Sequence, residues 1–329
     1  TAAPLQEICA LVCSHPCEDA CIRGDYDSPV KIREIKRFVL DYGRDRGWTP
    51  NWAAARDNGR RAAVVGAGPR GLACAVELRR AGYAVTVFEA EEEAGGMLRY
   101  GLPESGGQRQ VLKDTVRQLE RWGIHFVFDR RIENARELRD QGFDAVAAAL
   151  GAGLAREGGT GGEDALTLLS RLSRGERPRT GRRVAVTGPD RLTAREAARA
   201  ALRLGAEQVT LLLPGRAGRE ERQLQREGVI LLDGVSQVKR SAAGAAFLRE
   251  GASMELACDQ LLAAEERTAR SLPGEEVWTG VPGAAGVASA IAAGKNIAAA
   301  IDRSLRGEEA SAAPVPAVKT VDRTSVRRR

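Results

Sequence analysis

Residues 60–90, "RRAAVVGAGPRGLACAVELRRAGYAVTVFEA", leave few folds open to this chain. An apolar run, Ala62 to Val65, enters a turn carrying Gly66, Gly68 and Gly71; a helical stretch follows, Gly82 stops it, and a second apolar run ends at Glu89. Strand, glycine turn, helix and strand in that order form a βαβ unit, which implies a parallel sheet. A second unit of this kind begins about 120 residues later, at "GRRVAVTGPDRLTAREAARAALRLGAEQVTLLLPG", residues 181–215. The repeat predicts an α/β protein with two Rossmann-like dinucleotide-binding domains.

The turn explains the preference for a dinucleotide. In G-x-G-x-x-G the first glycine makes the tight turn, the second lets a pyrophosphate approach the backbone, and the third lets helix and strand pack closely. Glu89 stands about twenty residues on, where a carboxylate binds ribose hydroxyls.

The chain has 329 residues, 43% hydrophobic and only 4% aromatic, so its cores must be built mostly of Ala, Val and Leu. The formal charge of +6 is spread among interleaved acids and bases, which describes a solvated surface and not a nucleic-acid footprint. The terminal "SVRRR" is basic by composition alone. No apolar run is long enough to span a membrane and no secretory signal opens the chain, so a cytoplasmic protein is expected. Thr1 stands where Met would open a complete chain, so upstream residues are expected to have been removed or left out.

"CALVCSHPCEDAC" places Cys9, Cys13, Cys17 and Cys21 at a constant stride of four. Disulfides do not suit a cytoplasmic dinucleotide-binding protein, and zinc sites more often show paired Cys-x-x-Cys knuckles. An iron–sulfur cluster, held by cysteine thiolates, fits better. On one straight helix Cys9 and Cys21 would lie about 18 Å apart, but Pro16 interrupts it. A bend at residues 14–16 would fold the two pairs toward one centre. Cys74 and Cys258 stand alone in apolar patterns and read as core residues. After the cysteines, "VKIREIKRFVLDYGRDRG" has the pattern of an amphipathic helix ending near Gly47.

Several of these stretches, in one order, resemble the small (β) subunit of glutamate synthase and its relatives. "EICALVCSHPCEDAC", "SPVKIREIKRFVLD", "AGGMLRYGLP", "AARAALRLGAEQVTLL" and "ASAIAAGKNIAAAI" carry the likeness over nearly the whole chain. The resemblance implies FAD in the first domain, contacted by Gly66, Gly68, Pro69, Arg70, Gly71, Glu89, Gly96, Met97, Leu98, Arg99, Gly151 and Gly280. It also implies [4Fe-4S] chemistry at the four cysteines. In the family these are shared between two clusters, with further cysteines supplied from upstream. Two arrangements are therefore open: one cluster held by these four, which the chain as given favours, or two, with ligands from a missing N-terminus or a partner subunit.

Two departures bear on function. The family's second domain takes NADPH through G-G-G-N-x-A-x-D, whereas residues 188–196 read "GPDRLTARE". Pro189 removes a backbone N–H, and Asp190 adds negative charge where a pyrophosphate would sit. Arg216 and Arg219 are the only stand-ins nearby for the family's paired arginines. NAD(P)H binding is therefore doubtful. Near the end, Val281 replaces an Asp that bonds the FAD ribityl chain in the family.

The expected layout is an iron–sulfur helical cap over 1–57, an FAD-binding domain over 58–155, an NAD(P)H-binding-like domain over 156–272, a return to the FAD domain over 273–307, and a flexible tail over 308–329. The expected function is an electron-transfer flavoprotein subunit of a multi-subunit oxidoreductase, relaying electrons between FAD, the cluster and partner subunits. It needs no catalytic side chain of its own. The alternatives are an NAD(P)H-oxidising small subunit of the glutamate synthase type, and a redox-inactive scaffold.

Overall fold

The computed structural model describes residues 5–13, 15–48, 55–101, 108–151, 160–265, 271–279 and 287–308. It divides into two compact units, the first comprising residues 1–94, 111–149 and 272–329 and the second residues 95–110 and 150–271.

The first unit opens with α1 (Gln6–Val12), α2 (Pro16–Asp19) and α3 (Ile32–Asp45). Its sheet comprises β1 (Arg61–Val65), β2 (Ala84–Phe88), β3 (Ile124–Val127), β4 (Ala145–Ala148) and β13 (Val277–Thr279), all parallel, in the order β13-β4-β1-β2-β3. β1 and β4 are almost wholly buried and read as unbroken apolar runs, as strands covered on both faces must. Around them lie α4 (Pro69–Arg80), α6 (Gln108–Arg121, counted with this unit from Val111), α7 (Arg136–Asp140) and α11 (Val287–Leu305).

The Ala-rich α11 packs along α4. Gly294 makes the approach possible, since a Cβ there would sit 2.1 Å from the Arg70 carbonyl oxygen. Cys74, in α4, is fully buried.

The second unit repeats the plan. Its parallel sheet, in the order β5-β12-β6-β7-β8, is made of β5 (Glu163–Asp164), β6 (Arg183–Thr187), β7 (Gln208–Leu213), β8 (Ile230–Asp233) and β12 (Gln260–Ala263). The helices α5 (Met97–Gly101), α8 (Ala165–Ser173), α9 (Arg191–Arg203) and α10 (Arg219–Arg226) belong to it. Ala194, Ala197, Ala198 and Ala201 of α9 pack on Val184, Val186 and Leu211 to fill one face of the sheet.

The other face is covered by an antiparallel sheet that the sequence reading did not identify: β9 (Val235–Arg240), β10 (Gly244–Arg249) and β11 (Ala252–Ala257). Val235, Ala245, Phe247 and the buried Cys258 close on Ala185, Leu212 and Leu261. Short strands of mixed polarity, such as "VSQVKR", carry little periodic signal.

Residues 95–110, which the sequence reading placed within the FAD domain of 58–155, group with the second unit. Tyr100 packs against that unit's core, and Arg109 donates a hydrogen bond to the Ser173 carbonyl at 2.9 Å.

Candidate cofactor sites

β1 delivers the chain into a turn at Gly66, whose φ is +103° and whose N–H donates to the Phe88 carbonyl at 2.8 Å. Gly71, one turn into α4, passes so close to this loop that a Cβ would lie 1.8 Å from the Gly66 oxygen. Gly68 differs: it is the N-cap of α4, and a Cβ there would meet nothing within 4 Å. It contributes no side-chain cap, and Pro69 at the first helical position has no N–H to satisfy. An uncapped helix N-terminus behind an open glycine is the cradle a pyrophosphate needs. Arg70, next in the helix, is half-buried.

Glu89 follows β2 directly. Its carboxylate accepts hydrogen bonds from the N–H of Ala67 at 2.8 Å and of Glu91 at 3.1 Å, tying the glycine loop to the strand end beside it. The residues of this loop fit a dinucleotide.

Of the other residues expected at FAD, Gly96, Met97, Leu98 and Arg99 lie in the second unit. Gly95 and Gly96 both take positive φ, 126° and 49°, a turn that side chains resist. Leu98 and Arg99 are buried and Met97 is 38% exposed. Gly151 is exposed, while Gly280 and Val281 lie outside the described residues.

The matching turn of the second unit is built the opposite way. Gly188, at φ +136°, lies against the end of β12, where a Cβ would come within 2.0 Å of the Ala264 oxygen. Pro189 has no N–H, and the N–H of Asp190 donates to that same Ala264 oxygen at 3.2 Å. The Asp190 side chain caps α9, accepting from the Thr193 N–H at 3.2 Å and the Thr193 hydroxyl at 2.6 Å.

Arg191 donates to the carbonyls of Arg216 (3.2 Å) and Pro214 (3.4 Å), bracing the loop after β7. Arg195 pairs with the buried Glu221 at 3.0 Å. Arg216 is exposed, and the side chain of Arg219 lies outside the described residues. The sequence reading noted the charge of Asp190 but missed its cap; "DRLT" before a helical run, with Asp three residues ahead of Thr, was the available signal.

In the cap, α1 ends at Val12 and α2 starts at Pro16; between them His15 adopts φ +44°. The break expected at Pro16 is present. The backbone N–H of His15 donates to the Cys13 sulfur at 3.3 Å. Buried Glu18 accepts the Arg33 N–H at 2.8 Å, and the Arg33 guanidinium caps α1 through the Leu11 carbonyl at 2.8 Å, so α1, α2 and α3 are held together.

All six cysteines are free thiols. Burial raises the Cys9 thiol above its ordinary pKa, while backbone N–H groups, that of Val30 foremost, lower Cys21. Among the described residues no three His, Cys, Asp or Glu side chains are grouped closely enough to hold one metal ion. Four cysteine thiols are the kind of donor set that an iron–sulfur cubane takes, so the residue types present fit one.

Two parallel-sheet units of Rossmann type, one glycine turn open and one closed, follow a thiol-rich helical cap. The family described as dihydropyrimidine dehydrogenase domain II, 4Fe-4S cluster, matches residues 1–48, and the NAD(P)-binding Rossmann-like domain matches residues 64–119. The chain is related in sequence to glutamate synthase small chains and to the beta subunits of other oxidoreductases.

It is 36% identical over 222 residues to the NADPH-Fe(3+) oxidoreductase subunit beta of Geobacter sulfurreducens, covering 64% of this chain and 33% of that one. It is 38% identical over 149 residues to the glutamate synthase [NADPH] small chain of Bacillus subtilis, covering 44% and 30%. The chain thus spans about a third of the length of these relatives. Among solved structures, histamine dehydrogenase from Rhizobium sp. 4-9 superposes with a TM-score of 0.60 at 22% identity, over 77% of this chain and 45% of that one. Lactococcus lactis thioredoxin reductase does so with a TM-score of 0.53 at 13% identity, over 75% and 99%. Both show the fold alone. Among the described residues no helix is long and apolar enough to cross a membrane.

Proposed function

We propose that this chain is an electron-relay subunit: it holds FAD on the open turn of its first unit and a [4Fe-4S] cluster on its cap, and does not take NAD(P)H on its second unit. One observation carries the reading: the N-terminus of α4 is free of any side-chain cap at Gly68, whereas that of α9 is already occupied by Asp190. A helix terminus binds an anion with N–H groups that have no other partner. In the second unit Pro189 has none, Asp190 donates to Ala264, and Thr193 donates to a carboxylate. A dinucleotide would have to break these bonds and also overcome the charge of Asp190.

Gly66, Gly68, Pro69, Arg70, Gly71 and Glu89 form the loop that takes the dinucleotide. Cys9, Cys13, Cys17 and Cys21 are the cluster ligands, shared with thiols of a partner polypeptide if two clusters form. FAD exchanges electron pairs on one side and single electrons on the other, whereas a cluster carries one. Partner subunits of a larger cytoplasmic oxidoreductase supply and accept the electrons. The names of the relatives, which include NADPH, support a second reading in which the second unit still binds that nucleotide.

Titration of the flavin-loaded protein with NADPH and NADH under anaerobic conditions separates the two. Neither nucleotide should bleach the flavin within minutes, while dithionite should bleach it fully. Saturable, rapid bleaching by NADPH would establish the second reading, and a chain that takes up no flavin after cofactor-replete expression would leave the scaffold.

A further inference from the structure

α3 is amphipathic, yet it lies the wrong way round for a helix packed on its own protein. Arg33, Lys36 and Leu40 are partly screened on the side that carries buried Gly43, while Ile32, Ile35, Phe38, Val39 and Tyr42 point to solvent at 39, 54, 69, 56 and 41% exposure. Their spacing of three, four and three from Ile32 through Ile35 and Val39 to Tyr42 is the seam of a helix pair. Trp48, 63% exposed, extends the surface and meets the Tyr42 ring edge-on at 5.8 Å.

At about 150–250 Å² per aromatic residue, the exposed parts of Phe38, Tyr42 and Trp48 amount to roughly 250–450 Å². That is already the patch size that marks an interaction site, and the three aliphatic residues carry it toward the ~800 Å² each partner of a stable dimer contributes. Aromatics form only 4% of the sequence, so three together in solvent stand out.

The flanking charges indicate what covers the seam. Lys31, Phe38 and Asp45 are seven residues apart and share one row along the helix. Read in reverse, the row is its own complement, positive against negative with an aromatic at the centre. Lys31 and Asp45 are 58% and 73% exposed and, among the described residues, make ion contacts of 3.7 Å to Glu34 and 4.0 Å to Arg44.

We infer that α3 pairs antiparallel with α3 of a second copy of this chain, about a two-fold axis at Phe38. In that register Phe38 meets its own copy, Ile35 of one helix lies beside Tyr42 of the other, and Lys31 faces Asp45 at both ends. The contact is isologous, the commonest kind in homo-oligomers.

Light scattering on the full-length protein eluting from a sizing column, at tens of micromolar, reads the mass directly. Two copies are expected for the unmodified chain and one for Phe38→Glu, with flavin content and circular dichroism unchanged in both. Lys31→Glu should raise the dimer dissociation constant several-fold, and Lys31→Glu with Asp45→Lys should restore it. A single copy in the unmodified chain overturns the pairing, as does a dimer that survives Phe38→Glu. A double variant no tighter than Lys31→Glu alone overturns the antiparallel register. Because flavin content is read separately, none of these outcomes depends on the electron relay.

Discussion

The carboxylate of Asp190 accepts two hydrogen bonds from Thr193, one from the backbone N–H at 3.2 Å and one from the hydroxyl at 2.6 Å. The second unit thereby supplies its own anion at the point where its fold would receive a pyrophosphate. The first unit, whose strands β4-β1-β2-β3 correspond to β12-β6-β7-β8 of the second, leaves that point open at Gly68. Two copies of one supersecondary plan thus differ, by a few residues, in what meets the helix N-terminus.

Asp190 is therefore expected to stabilise as well as to exclude. Asp190→Ala should lower stability by about 1 kcal/mol, the usual cost of deleting an N-cap, read as a shift in the urea midpoint at unchanged slope. Asp190→Asn keeps an acceptor on Thr193 and should stay close to the unmodified protein. Equal losses in both variants would show that the negative charge, not the cap, is what matters.

The glycines of the two turns should respond differently to a methyl group. Gly188→Ala places Cβ within 2.0 Å of a backbone oxygen at a φ of +136°, so it should destabilise by more than about 1 kcal/mol. Gly68→Ala meets no atom and has an ordinary φ of −73°, so the fold should tolerate it. The new methyl instead lies where a pyrophosphate approaches. The expected result is normal thermal unfolding of the flavin-free protein with a several-fold loss of FAD affinity; unchanged affinity would move the cofactor away from this turn.

Both βαβ units could be read from the sequence because long buried strands and an Ala-rich helix leave strong periodic signals on either side of a glycine turn. The position of Glu89 just past β2 was also legible, since its distance from the loop is fixed by the length of α4 and β2. The antiparallel sheet over 235–257 was not, because its strands alternate irregularly and its outer residues, such as Met254, are exposed. The outward face of α3 could not be read either: periodicity shows that a helix has an apolar side but not which way that side turns. Here Arg33, through its bonds to α1 and Glu18, fixes the orientation.

Tyr83, 1% exposed, donates its hydroxyl to Asp302 of α11 at 3.0 Å, joining the turn before β2 to the last helix. Burial first, and the Asp302 carboxylate second, push its pKa up to about 12 from 10. A raised pKa means that the folded protein holds the proton more tightly than the unfolded chain. The stabilisation is complete below pH 10 and lost as pH rises from there through about 12. Tyr83→Phe lacks both the bond and the titration. It should be less stable than the unmodified protein at pH 8, and the gap should narrow steadily in the alkaline range. A gap independent of pH up to 12 would place the hydroxyl outside this linkage.

The cysteines should sort by position in the fold. Cys74, fully buried in α4, is pushed strongly upward in pKa by burial alone, so its thiolate is inaccessible at neutral pH. Cys258 is also buried, and burial raises it too. In metal-free, reduced protein an alkylating reagent should therefore modify Cys9, Cys13, Cys17 and Cys21 and leave Cys74 and Cys258 intact until denaturant is added, as intact mass reads directly. After anaerobic reconstitution with iron and sulfide the four should become protected. Serine at Cys13 or Cys17 should then lower bound iron, whereas Cys74→Ala should leave it unchanged and cost only packing in α4. Iron content that is equal in Cys13→Ser and the unmodified protein would remove Cys13 from the ligand set.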